Sequence, residues 1–368
     1  MKNKPTILML LVGLLAGGCS SIKPVTPNAS PETVALLKYL QGISGQHTLT
    51  GQHNYPATKD SSTLEAAAAW GKTPAIYGQD FGFARPGDKD AAAARPEIIA
   101  EVRRQYEQGS IITLCWHAVP PTADEPVTFR PGPGAPATAN LATVQGQLTD
   151  EQWNELITPG TQLNQHWCDQ VDVIAGYLKQ LRDAHIPVLW RPYHEMNGDW
   201  FWWGGRRGQH GTAVLYHMLF DRLANHHQLN NLVWVWSVDR PGTPERQFVD
   251  FFPGRNYFDV AALDVYHSDF SPVYYRDLLK LAAGKPIALA EVGPPPTLEV
   301  LEKQPQWTWW MLWAEMVGKD PSEIRVMRTL VDAPRSLSLE DPDYLKGIAP
   351  IRAASGLPPW VPATRPAP

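Results

Sequence analysis

Eight short apolar segments, rich in β-branched and aromatic residues, recur between residues 49 and 315: "LTGQHN" (49–54), "PAIYGQDFG" (74–82), "SIITLCWHA" (110–118), "PVLWRPYHE" (187–195), "LVWVWSVD" (232–239), "VAALDVYH" (260–267), "PIALAEVG" (286–293) and "WTWWMLWAE" (307–315). Their composition reads as strands. The intervening stretches include "EIIAEVRRQYEQG" (97–109) and "DQVDVIAGYLKQLRDAH" (169–185), whose apolar residues repeat at helical spacing. In the second, Val171, Ile174, Ala175, Leu178 and Leu181 form one stripe, with Asp169 in the first turn. Strand and helix alternating eight times predict an α/β fold of the (β/α)8 TIM-barrel type in one domain. A doubly wound open sheet shares the alternation, but no glycine-rich phosphate loop follows the first strand.

The first residues, "MKNKPTILMLLVGLLAGGCSS", place two lysines before an apolar run from Ile7 to Ala16 and small residues ending at Cys19. This is a signal peptide over 1–18, too short to span a bilayer. It is similar to a bacterial lipoprotein signal, which implies lipidation of Cys19 and a lipid-anchored protein of the cell envelope, at the outer membrane or cell surface. Ordinary secretion, with Cys19 removed, leaves a secreted or periplasmic protein. Residues 19–31 read as a flexible tether and 32–368 as the catalytic domain, with an irregular tail after Gly318. The Pro- and Gly-rich stretch from Pro120 to Thr161 follows the third strand and falls at the C-terminal face of a barrel, where it could wall a groove. Cys115 and Cys168 read as free thiols, although an oxidising compartment would permit their pairing.

A formal charge of −5 and no run of Lys or Arg longer than two exclude a nucleic-acid footprint. Fifteen Trp residues leave two readings, a Trp-rich core or flat faces for stacking on ligands. The polar residues that end the predicted strands are His117, Glu195, Asp264 with Tyr266, and Glu291, and in a barrel these ends converge on one site. Glu195 and Glu291, on the fourth and seventh strands, are the paired carboxyls that glycosidic bond cleavage requires. Alternation along the fourth strand places Arg191 and Tyr193 on the inward face with Glu195. On the seventh it places Ile287 and Leu289 beneath Glu291.

The stretch "WRPYHEMNGDWFWWG" (190–204), followed by "IALAEVG" (287–293), resembles glycoside hydrolase family 26, the retaining β-mannanases among the (β/α)8 glycosidases. The resemblance spans about residues 33–318 and implies that Glu195 is the general acid/base and Glu291 the nucleophile. It further implies that His194 orients the acid or the substrate and that His117, in "CWH", lines the sugar site. Trp200 would be an aromatic platform, Asp264 and Tyr266 a pair supporting the nucleophile, and Trp313 the floor under the sugar, with Trp309 and Trp310 close by as alternatives. Independently of the resemblance, Arg191 on the inward face could hold a neighbouring carboxylate ionised and so belongs to the substrate-binding site.

These roles imply retaining hydrolysis of β-1,4-mannosidic bonds in mannan, glucomannan, galactomannan or manno-oligosaccharides, by a monomer that needs no cofactor and no metal. Two alternatives stay open: a hydrolase of the same family acting on mixed-linkage β-glucan or β-xylan, and a non-catalytic glycan-binding lipoprotein.

Overall fold

The computed structural model describes residues 23–85, 89–129 and 143–362. Cys19 and the signal segment lie outside the described residues, as do residues 130–142 of the 120–161 stretch. All eight expected strands form: β1 (Thr48–His53), β2 (Ile76–Asp80), β3 (Ile111–Trp116), β4 (Val188–Pro192), β5 (Leu232–Asp239), β6 (Val260–Tyr266), β7 (Ile287–Gly293) and β8 (Trp307–Leu312). Each pairs in parallel with the next, and β8 returns to β1 in the register Leu49↔Trp309, closing the barrel.

The helices, in chain order, are α1 (Pro31–Ile43), α2 (Ser61–Trp70), α3 (Arg95–Glu107), α4 (Asp150–Ile157), α5 (Gln162–Asp183), α6 (Thr212–Phe220), α7 (Pro272–Ala282), α8 (Leu298–Lys303), α9 (Pro321–Asp332) and α10 (Pro342–Ala354). Between β5 and β6 only two short 3-10 turns stand where a barrel helix would be. The α5 stripe predicted from sequence is buried throughout, but the helix begins seven residues before Asp169 because the Thr161 hydroxyl accepts from the Asn164 N–H and caps it there. The end of the 120–161 stretch is also helical. Thr149 and Gln152 form a reciprocal capping box that starts α4.

Period-2 alternation sorts the strand residues into two cores. Leu49, Ile76, Ile111, Leu189, Val233 and Trp309 belong to the inner cluster, together with Leu36, Leu37 and Leu40 of α1 and Tyr344, Ile348 and Ile351 of α10. Their sequence neighbours Tyr77, Ile112, Trp190, Leu232 and Trp310 face the surrounding helices. The inner face accommodates its bulky members by placing glycine opposite them. A Cβ on Gly78 would come 2.6 Å from Met311 Sδ.

The ends of the chain differ from expectation. Residues 25–31 are not a free tether, since the Val25 N–H donates to Asp259 Oδ1 and the buried Thr26 hydroxyl to Leu232 O, pinning this segment at the start of β5. Nor is the stretch after Gly318 irregular throughout. It forms α9, a short strand at Ser336–Leu337 beside β1, and α10. The Tyr344 hydroxyl contacts Ala75 O and Gly109 O, just before β2 and β3, so α10 packs with α1 across the N-terminal end of the barrel. A strand-period search does not find a helix whose apolar residues close a barrel rather than coat its wall.

Candidate active site

The barrel's C-terminal end opens into a cavity of about 760 Å³, lined among others by His117, His194, Glu195, Trp200, Tyr266, Glu291 and Trp313. Seven of the residues singled out by sequence therefore meet in one place. Arg191 and Asp264 lie directly beneath them, both buried.

Arg191 organises the floor. Its Nη1 donates to Asp264 Oδ2 at 2.8 Å and its Nη2 to Glu291 Oε2 at 2.7 Å, so one buried cation serves two carboxyls. Asp264 also accepts from Ser237 Oγ at 2.9 Å, and Glu291 accepts from the Tyr266 hydroxyl at 2.5 Å. A buried guanidinium is tolerated only when paired and hydrogen-bonded, and the planar fork suits two carboxyls side by side.

Alternation alone misplaces three residues expected on the inward face, Tyr193, Ile287 and Leu289. β4 ends at Pro192, and Tyr193 and Glu195 take left-handed backbone conformations at φ 47° and 50°. Tyr193 consequently turns outward, where its hydroxyl accepts from Trp167 Nε1 of α5, while Glu195 turns back over the cavity. On β7, Ile287 and Leu289 face the helices rather than the interior. The register with β6 passes from Leu263↔Leu289 to Asp264↔Glu291, so Ala290 is an extra residue, a β-bulge that lets both Ala290 and Glu291 face inward. Glu291 thus reaches the site by breaking the alternation that was expected to carry it there.

Glu195 has a different environment from Glu291. Its Oε2 accepts from Trp200 Nε1 at 2.7 Å, and no cation among the described residues pairs with it. Burial drives its pKa well above the usual carboxyl range, reinforced by the negative charges of Glu291, Asp264 and Asp239, with the Trp200 N–H pulling the other way. Asp239, at the end of β5, is itself pushed up to about 6 by burial against the pull of Arg240. The two glutamates are chemically identical, but among the described residues only Glu291 has a guanidinium against it. That asymmetry fits one carboxyl to hold a proton and the other to carry charge.

His117 is fixed by a residue that sequence reading missed. Its Nδ1 donates to Asp80 Oδ2 at 2.6 Å and its backbone N–H to Asp80 Oδ1 at 3.2 Å. Gly82 N–H supplies a further donor to Asp80 at 2.7 Å, and a Cβ on Gly82 would lie 2.4 Å from His117 O. Burial works against charge on Asp80, but His117, His53 and Gly82 together hold its carboxyl below the usual range. Asp80 and His117, with Cys115, bring potential metal-ligand atoms within 4.8 Å of one another; the hydrogen bond between Asp80 and His117 is the use the structure shows for two of them. The only sequence signal for Asp80 was its position at the end of the second strand. His194, whose ring centroid is 4.4 Å from that of His117, is held far below its ordinary pKa by burial and by Arg191.

The aromatic residues separate into wall and core. Trp313 lines the cavity and lies stacked on His53 at 4.0 Å; its Nε1 donates to the Tyr55 hydroxyl, which donates to Glu315 Oε2. Trp309 belongs to the inner barrel cluster, and Trp310 packs outward against Trp70. Trp202 and Trp203 are both buried, donating to Ala118 O and His194 O, so neither faces the groove. His53 is likewise structural, with burial lowering its pKa to about 3. Sequence reading also missed Phe83, Phe129, Phe201, Arg240 and Arg246, all in the cavity wall. Phe201 lies in the quoted aromatic stretch, Phe83 begins a three-residue strand (Phe83–Arg85) and Arg246 ends a 3-10 turn, both too short for periodicity to report, and Phe129 and Arg240 sit on loops. Cys115 is buried inside the barrel, Cys168 is half-buried on α5, and both are free thiols.

A closed parallel barrel that collects a carboxyl pair, histidines and aromatic walls at its C-terminal rim has the construction of a glycoside hydrolase. The profile described as glycosyl hydrolase family 26 matches residues 25–334. A mannan endo-1,4-beta-mannosidase of Thermothelomyces thermophilus is 31% identical over 325 residues, 86% of this chain and 62% of that protein. The chain thus spans less than two thirds of that relative. The mannan endo-1,4-beta-mannosidase of Bacillus subtilis is 28% identical over 80% of this chain and 82% of its own length. Among solved structures, GH26A from a Muricauda species superposes with a TM-score of 0.77 at 39% identity, covering 85% of this chain and 98% of that one. The chain belongs to glycosyl hydrolase family 26 and is a glycoside hydrolase.

Proposed function

We propose that the protein is a retaining β-1,4-mannanase in which Glu195 is the acid/base and Glu291 the nucleophile. The observation that carries this reading is the asymmetry between the two carboxyls: Glu291 ion-paired to Arg191, and Glu195 buried without a cation and pushed strongly toward its protonated form. In the first step Glu195 gives its proton to the glycosidic oxygen as the Glu291 carboxylate attacks the anomeric carbon and the glycosidic bond breaks. In the second, Glu195 takes a proton from water, the hydroxide oxygen bonds to the anomeric carbon, and Glu291 leaves as a carboxylate. Tyr266 and Arg191 hold the nucleophile, and Trp313 offers a flat face for a pyranose ring.

The choice of mannan rests on the relatives' activity and on the motif around Glu195. Anchoring through a lipidated Cys19 at the cell envelope, and action there as a monomer, belong to the same proposal. A time course of products from mannohexaose and polymeric mannan, beside mixed-linkage β-glucan and xylan, tests the substrate. Cleavage of the manno-substrates alone supports it. Cleavage of another glycan with mannan untouched would keep the two-carboxyl mechanism and overturn the sugar.

A further inference from the structure

The chain of contacts behind Glu195 continues beyond Trp200. The Arg246 guanidinium lies over the Trp200 ring, its Cζ 4.9 Å from the ring centroid, and Arg246 Nη2 pairs with Asp199 Oδ1 at 2.6 Å. The ring also packs closely on Gly198, where a Cβ would come within 2.4 Å of its carbons. The loop that carries Arg246 is stapled to the loop of the acid by buried Asn197. Its Nδ2 donates to Asp239 O and Arg246 O, and its Oδ1 accepts from the Asp239 N–H. Two loops from adjacent strands therefore hold one indole whose only polar atom meets Glu195.

We propose that Arg246, anchored by Asp199, is a positioning residue for the acid/base: it clamps Trp200 so that the indole N–H stays on Glu195 Oε2, leaving Oε1 to carry the proton toward the glycosidic oxygen. The inference rests on the catalytic role proposed above for Glu195. An oxygen that accepts a hydrogen bond from a fixed N–H is poorly placed to bear the acid proton, so the clamp selects which oxygen donates. It also supplies a donor that favours the carboxylate formed after the proton has left.

In the first step a clamp on the acid is felt only where protonation of the leaving group matters, and kcat/KM reads that step alone, whereas the second step needs Glu195 as base on every substrate. Kinetics of Arg246→Ala, with Arg246→Lys and Asp199→Asn alongside, are compared on mannotetraose and on a dinitrophenyl β-manno-oligoside, whose leaving group departs without proton donation. Arg246→Ala is expected to lose about 10-fold or more in kcat/KM on mannotetraose and about 3-fold or less in kcat/KM for dinitrophenol release, the range assigned to a partly disabled general acid. Its alkaline limb moves to higher pH as the Trp200 N–H is released from Glu195. Arg246→Lys, which retains a cation over the ring, restores part of the loss. Asp199→Asn, a change at an exposed side chain, gives a smaller loss with the same pattern and covers the case in which Arg246→Ala does not fold. Equal losses on both substrates, or no loss on either, would overturn the clamp. If the wild-type protein releases nothing from either manno-substrate, it is the mannanase reading that has failed, and the clamp's catalytic role falls with it.

Discussion

Arg191 and Glu291 stand 100 positions apart in sequence and form a buried ion pair of 2.7 Å, with Asp264 on the other arm of the same guanidinium. The pair makes Glu291 structural as well as chemical. Glu291→Gln removes a charged partner from a buried cation that keeps only Asp264, and the fold should lose roughly 2 kcal/mol, the scale of a hydrogen bond to a charged group. Thermal denaturation of this variant against wild type measures the loss, and its turnover of mannan should fall at least about 1,000-fold with the loss of covalent catalysis.

Glu195 should behave in the opposite way. Its folded pKa is raised, so the stability it contributes is fully present below its unfolded pKa and lost as pH rises through the folded value. Glu195→Gln cannot ionise and keeps an acceptor for Trp200 Nε1. The variant is expected to be nearly inactive on mannan yet to melt higher than wild type, with the difference growing from pH 5 to pH 9. Melting curves at several pH values read this directly, and a lower melting point at pH 9 would contradict the buried, uncompensated acid.

On the proposed mechanism, the alkaline limb of activity reports the proton on Glu195. Asp239 is one of the negative charges that push Glu195 upward, and with its own pKa near 6 it is largely ionised at neutral pH. Asp239→Asn removes that charge while leaving the backbone hydrogen bonds to Asn197 in place. The alkaline limb of kcat should therefore shift to lower pH. A pH–rate profile on mannohexaose gives the answer, and an unmoved or raised limb would count against the charge coupling.

Asp80 fixes the nitrogen of His117 that carries a proton on the barrel side. Asp80→Asn can present an amide N–H to the same nitrogen and so turn the ring to its other tautomer, as occurs when a buried orienting carboxylate is replaced by its amide. A loss of about 10-fold or more in kcat/KM is expected, with little change in the melting temperature. NMR of the His117 ring nitrogens would show the exchanged tautomer.

Closure of the barrel's lower end by α10 predicts a stability effect remote from the site. Tyr344→Phe gives up the hydroxyl contacts to Ala75 O and Gly109 O and leaves buried carbonyls short of a donor, costing about 1–3 kcal/mol. Denaturant titration should show this loss with kcat unchanged.

The barrel was legible in the sequence because each of its eight strands carries at least two β-branched or aromatic residues between breaks, and periodicity reports such segments well. The site was legible because strand ends converge, so residues as distant as His117 and Glu291 could be placed together from strand position alone. What failed was local. Tyr193 faces the helices because the chain leaves β4 at Pro192, and Glu291 faces inward because of one bulged residue, Ala290. Neither event has a sequence signature, since a left-handed Tyr and a bulge at Ala are decided by packing rather than by residue type. Asp80, Arg240 and Arg246 escaped because their roles depend on partners brought from other loops.

The double-displacement mechanism makes a stereochemical claim that one experiment can decide. Proton NMR of mannohexaose, recorded in the first minutes after enzyme is added and before mutarotation, identifies the anomer released at the new reducing end. Retention requires that the β-anomer appears first and the α-anomer grows in only at the rate of mutarotation. Initial release of the α-anomer would mean that water attacks directly, and would contradict the assignment of Glu291 as a nucleophile.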